Sequence, residues 1–215
     1  MSYVKVVVRA LAIVGAAAFT VAACQAPKPP VLVSPGEPGV GCPVGAGVTL
    51  VTSCDMHGWT FGTSGTSRFV SGPPTPPEGL GSVELAPGGA ISTNRFAGLR
   101  LVDIADLQYS FSLPSDPGGG EAPVLTLAVD DDGNGTPDGE IVITPDPGGV
   151  LIGQWQRWDS LAEVEAYAAT HANATVADVS SGSVRLSAGP GWPAGFVGHV
   201  DAFTINGQVF DFDVV

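Results

Sequence analysis

Side chains that alternate apolar and polar along short segments constrain this chain more than any other feature. Leu107, Tyr109, Phe111 and Leu113 alternate with Gln108, Ser110 and Ser112. Val83 and Leu85 alternate with Ser82 and Glu84, Val184 and Leu186 with Ser183 and Arg185, and Phe210, Phe212 and Val214 with Asp211 and Asp213. A period of two sends successive side chains to opposite faces of a strand, so each segment has one face to bury and one to leave wet. Residues 49–52, 59–61, 124–129, 141–144 and 198–205 are further strand candidates, and turn-forming connectors lie at 72–79, 114–122 and 146–149. With 30 Gly and 19 Pro in 215 residues, a helical bundle is disfavoured, because both residues break helix interiors. No internal repeat points to a propeller or solenoid. The pattern predicts an all-β antiparallel β-sandwich with one short accessory helix. That helix starts at Ser160-Leu161-Ala162-Glu163, which has the form of a capping box, and its apolar stripe runs through Leu161, Val164 and Ala168 to end near His171.

The first 23 residues read as an address. Lys5 and Arg9, without an acid, precede a 14-residue apolar and small-residue run at 10–23. A spanning helix needs about 20 apolar residues, and a shorter run behind a positive start is a secretory signal. Val21-Ala22-Ala23-Cys24 resembles the lipobox of bacterial lipoproteins. The resemblance implies cleavage before Cys24 and acylation of its thiol and amine. The chain is then expected to be lipid-anchored to a membrane of the bacterial cell envelope, outside the cytoplasm. Several acyl chains matter, since one chain, at ~0.8 kcal/mol per buried CH₂, anchors only marginally. Residues 24–39 form a linker; its 25–39 stretch holds five prolines and in extended geometry reaches roughly 45 Å. The sandwich domain is expected over 40–215.

Charge narrows the partners. The net charge of −13, with only 8 basic residues, excludes a nucleic-acid binder, which needs clustered Lys and Arg. Loss of Lys5 and Arg9 leaves 6 basic and 21 acidic residues, net −15, which anionic headgroups repel. With Cys24 acylated, Cys42 and Cys54 remain as an even pair in an oxidising setting, and a disulfide between them is expected. It would contribute roughly 3 kcal/mol. Thiolate metal ligation is the weaker alternative, for lack of a CxxC spacing.

The string from Asp130 to Asp138 (DDDGNGTPD) carries the strongest chemical signal. Asp130, Asp132, Asn134, Thr136 and Asp138 offer oxygens at alternate positions, with Gly135 sixth, which is the spacing of a loop that folds around one hard cation. The string resembles the calcium loops of EF-hand-like and dockerin-type proteins, which implies a structural Ca²⁺. It departs from them at the twelfth position, where Ile141 replaces a bidentate Glu, and in its strand-like flanks; Glu140 is the substitute on offer. The alternative is a plain acidic hairpin, since Asp, Asn and Gly form turns without metal.

Alternation places Asp201 on the face of Phe203 and Ile205, where a carboxylate is costly unless paired or metal-bound. Gly198-His-Val-Asp201-Ala-Phe203-Thr-Ile205, with a final strand after it, resembles the last strands of carbohydrate-binding modules with a galactose-binding-like jelly roll. Cys54-Asp-Met-His-Gly-Trp59 and Gly81-Ser-Val-Glu-Leu85 resemble their opening. The resemblance implies a jelly-roll-like sandwich, a glycan as ligand, and a second calcium ligand at Asp201 with an acid such as Asp55 or Glu84. The alternative is an Asp facing solvent at a sheet edge.

Trp155 and Trp158, in Gln154-Trp-Gln-Arg-Trp-Asp159, sit beside hydrogen-bonding residues, and Trp192 lies in Gly-Pro-Gly-Trp-Pro. All three are candidates for a sugar-binding surface, set against the core-filling role that Trp commonly takes. His57, His171 and His199 show no metal-ligand spacing, and neither HExxH nor GxSxG occurs. Asp211 and Asp213 read as two acids on the solvent face of a terminal strand rather than a glycosidase pair. The reading is therefore a non-catalytic envelope lipoprotein. A structural or protein-interaction protein without a glycan ligand, and a sandwich-fold glycosidase, are the alternatives.

Overall fold

The computed structural model of the protein describes residues 47–115, 121–145, 151 and 153–214. The signal segment, Cys24, the linker and Cys42 lie outside them. All described residues belong to a unit that begins at Val40, and no described helix is long and apolar enough to cross a membrane.

Thirteen strands and one α-helix are described: β1 (Val48–Val51), β2 (Trp59–Phe61), β3 (Ser67–Ser71), β4 (Gly81–Leu85), β5 (Ala90–Thr93), β6 (Leu107–Ser112), β7 (Val124–Asp130), β8 (Gly139–Ile143), β9 (Trp155–Asp159), α1 (Leu161–Ala168), β10 (Thr175–Val176), β11 (Val184–Ser187), β12 (Gly198–Ile205) and β13 (Gln208–Phe212). They form two sheets, as the alternation predicts. In the first, β12 is the spine. Its start pairs with β4 and its end with β13 along one edge, and β6 then β9 continue the sheet along the other. β3 lies outside β4, and β1 outside β13 in the sheet's one parallel pairing. In the second sheet β8, β7, β11, β5 and β2 follow one another, with β10 beside the end of β7.

The apolar half of each alternating segment meets between the sheets. Trp59 of the second sheet stands edge-on among Phe203, Phe210 and Phe212 of the first, with ring centroids 5.3, 5.6 and 5.0 Å away. Tyr109, Phe111, Leu125, Leu127 and Leu186 extend this core. The Tyr109 hydroxyl donates to the Pro123 carbonyl at 2.7 Å, so its one polar atom is satisfied.

Three expectations need correction. Asp201 does not share the face of Phe203 and Ile205. The register of β12 against β6 shifts between Asp201 and Thr204, with Ala202 at φ 49°, and this β-bulge keeps both Val200 and Phe203 in the core while displacing Asp201. β13 is an interior strand, so Asp211 is only 6% exposed, not on a solvent face. Ser160 makes no capping bond; the Leu161 amide donates instead to Asp159 Oδ1 at 3.0 Å, because Ser160 is fully buried with a backbone short of the extended cap geometry. No disulfide is found among the described residues, and Cys42 of the expected Cys42–Cys54 bridge lies outside them. Thr52 Oγ1 accepts the amides of Cys54 and Asp55, and the turn leaves Cys54 an exposed free thiol.

Candidate functional site

The acidic loop connects β7 to β8 and is built by its own side chains. Asp130, at the end of β7 and 3% exposed, accepts the amides of Gly133 and Gly135, both at 2.8 Å, and of Asn134 at 3.3 Å. These bonds, led by that from Gly135, hold its carboxyl below the ordinary carboxylate range. Gly133 and Gly135 take φ of 75° and 84°, a region that costs an L side chain and lets the chain wrap back on Asp130. Asp132 accepts the Asn134 amide at 3.1 Å, and Asp138 accepts that of Asp131 at 2.8 Å.

The outcome is that Asp130, Asp132 and Asp138 bring carboxylate oxygens within 4.8 Å of one another. Three negative groups so close repel, and a hard cation is the species that relieves this. Of the other two expected oxygens, that of Asn134 is used within the loop. Asn134 Oδ1 accepts the Thr136 amide at 2.7 Å, and Asn134 Nδ2 donates to Asp132. Glu140 lies on β8 opposite Ala128, and Ile141 is in the core. Asp131 receives the Tyr167 hydroxyl at 3.0 Å, and Tyr167 stacks on His171 at 4.3 Å. The loop is thereby tied to the end of α1, a contact that no local motif signals.

Asp201 belongs to the other sheet, at the point where β4 and β13 part company along β12. Its carboxylate accepts the Phe212 amide at 2.9 Å and the Glu78 amide at 3.4 Å, doing in place of a strand what a ladder partner would do. It is fully buried, and burial raises its carboxyl well above the ordinary range despite those bonds. Neither acid partner expected for it takes part: Asp55 pairs with His57 at 3.3 Å and Glu84 with Arg68 at 2.8 Å. Instead the connector between β3 and β4 folds back as a strap. Gly72 receives the Ser82 hydroxyl, and the Leu80 amide donates to Asp213 at 3.3 Å. Asp211 and Asp213 thus face Glu78 and Gly79.

A shallow cleft of about 290 Å³ lies beside this strap. Pro77 and Glu78 form one wall, Trp155 and Arg157 of β9 another, and Ser110 and Thr204 part of the floor. Trp155 is half-buried, with its indole N–H unpartnered. Trp158 points to the core, and Trp192 is buried against Phe196 with its N–H donated to the Glu121 carbonyl. Of the three aromatic candidates, only Trp155 lines this opening. Compared with known protein families, characterised proteins and solved structures, the chain matches none.

Proposed function

We propose that the protein is a non-catalytic, lipid-anchored cell-envelope protein whose sandwich is stabilised by Ca²⁺ at Asp130, Asp132 and Asp138 and offers a glycan-binding cleft at Trp155. The observation that carries the calcium reading is the approach of three carboxylates within 4.8 Å in a loop whose amides already hold Asp130 in place. Supporting the glycan reading are an indole and a guanidinium that line one cleft together with Ser110, Gln156 and Thr204, a mix of apolar and hydrogen-bonding groups that suits a hydroxylated ring. Anchoring rests on the lipobox at Val21–Cys24.

Saturation at 100 times Kd adds about 2.7 kcal/mol, so a chelator is expected to lower Tm by roughly 5–11 °C. Asp132→Ala removes most of that difference; an unchanged Tm with chelator in the wild type makes the loop a plain turn. Radiolabelled fatty acid enters the wild type and not Cys24→Ala, and equal labelling defeats the anchor. A glycan array with wild type and Trp155→Ala tests the cleft. Burial of Trp59 and Trp192 favours a second reading, a structural envelope protein with no glycan ligand, for which the array stays blank.

A further inference from the structure

The cleft beside the strap is lined by a guanidinium that no described carboxylate neutralises. Arg157 and Trp155 are alternate residues of β9, so they share one face of the strand, opposite Ser110 and Ser112 of β6. Arg68 is paired with Glu84, and Arg95 and Arg100 donate to the carbonyls of His57 and Ala172. Among the described residues Arg157 has no ion pair, although acids are near. Asp201 lies in one row with it across β6, through Ser110, but accepts the Phe212 and Glu78 amides instead. Glu78 lines the same cleft from the strap and is likewise in no ion pair.

A second donor there is also unused. The Trp155 indole N–H is buried without a hydrogen-bond partner, which is costly unless something accepts the bond. Alternate residues of a strand stand about 7 Å apart, so a ligand of one or two sugar units meets both the indole and the guanidinium. Glu78 adds an acceptor from a different element. Opposite charges that line one cleft without pairing suit a ligand with an anionic group at one end and hydroxyls at the other.

We infer that the cleft selects an anionic glycan, a hydroxylated ring bearing a carboxylate or a sulfate, with the anionic group on Arg157 and hydroxyls on Glu78. The inference rests on the glycan reading of the cleft and adds the class of its ligand. A guanidinium holds such an oxyanion through two parallel N–H bonds, which fixes its orientation as well as its charge. Burial raises the Asp201 carboxyl well above the ordinary carboxylate range, which favours its neutral form and spares the bound anion a repulsive neighbour. The net charge of −13 repels anions at long range, so a preference for an acidic glycan has to come from contacts in the cleft.

An array that carries uronic-acid, sialic-acid and sulfated glycans, each beside its carboxyl-reduced or desulfated neutral counterpart, tests this with the full-length protein. Wild type is expected to bind at least one acidic member roughly tenfold more tightly than its neutral counterpart, the factor that a hydrogen-bonded charge supplies. Carboxylated and sulfated members tell the two anions apart. Arg157→Gln should erase the preference and leave the neutral counterpart bound as before, whereas Trp155→Ala should weaken both. Arg157→Lys, which keeps the charge and loses the fork, should retain only part of the preference. Arg157 is exposed, so these variants should melt with the wild type. Acidic and neutral counterparts that bind the wild type alike, or a preference that survives Arg157→Gln, overturn the inference and leave the glycan reading intact. A blank array defeats both.

Discussion

Replacing Trp59 measures how much of the fold depends on the contact between the two sheets. The side chain is 1% exposed and packs edge-on against three phenylalanine rings from the opposite sheet. Truncation to Ala removes the burial and leaves a cavity, about 3–5 kcal/mol. For a domain of this size that corresponds to a Tm drop of roughly 6–20 °C. Trp59→Phe behaves differently. It gives up part of the ring but also deletes an indole N–H that is buried without a partner, and leaving such a donor unpaired costs about 1–3 kcal/mol. The two effects oppose, so the net change should be within about 2 kcal/mol. Thermal and guanidinium unfolding of both variants in saturating Ca²⁺ provide the numbers. An Ala variant within about 3 °C of wild type, or a Phe variant as damaged as the Ala variant, would refute the packing argument.

Other consequences are smaller and separable. Tyr109→Phe strands the Pro123 carbonyl in the core and should cost about 1–3 kcal/mol by chemical denaturation. Burial, reinforced by Glu163, raises its phenol pKa strongly, so the hydroxyl stays a donor and the loss should not vary with pH up to 9. Tyr167→Phe frees Asp131 from α1 and should weaken Ca²⁺ binding at the loop by about 1 kcal/mol, roughly fivefold, in a calorimetric titration. His199, buried with Nδ1 3.3 Å from Ser82 Oγ, has its pKa lowered by burial against an opposing pull from Glu84. The folded state then binds that proton less readily than the unfolded one. Its stability contribution is complete above pH 6.5 and is lost as pH falls below that value, so the stability difference between wild type and His199→Gln should shrink from pH 7 to pH 5.

What could be read from the sequence was what is local. β4, β6, β11 and β13 declare themselves by strict alternation, and the nine-residue acidic loop carries its glycines and carboxylates in one string. β3 and β5 are polar or small at alternate positions and lack that signal, while β9 reads as an aromatic-polar string until its pairing with β6 shows it to be a strand. Asp201 misleads because one residue bulged at Ala202 reverses the face assignment, and nothing local marks the bulge. The strap cluster joins Glu78 to residues more than a hundred positions later, through a connector that reads as an ordinary proline-rich turn. Ser160 shows a local motif losing to packing: burial of its hydroxyl passes the capping role to Asp159.

The central claim is that the β7–β8 loop is a calcium site, and the amide NMR signals of Gly133, Asn134 and Gly135 report on it most directly, because all three N–H groups are bonded to Asp130. Titration of ¹⁵N-labelled protein with Ca²⁺ is predicted to move these signals saturably, with Asp132→Ala abolishing the change. Signals that stay in place up to millimolar Ca²⁺, or that move equally in Asp132→Ala, would contradict the account.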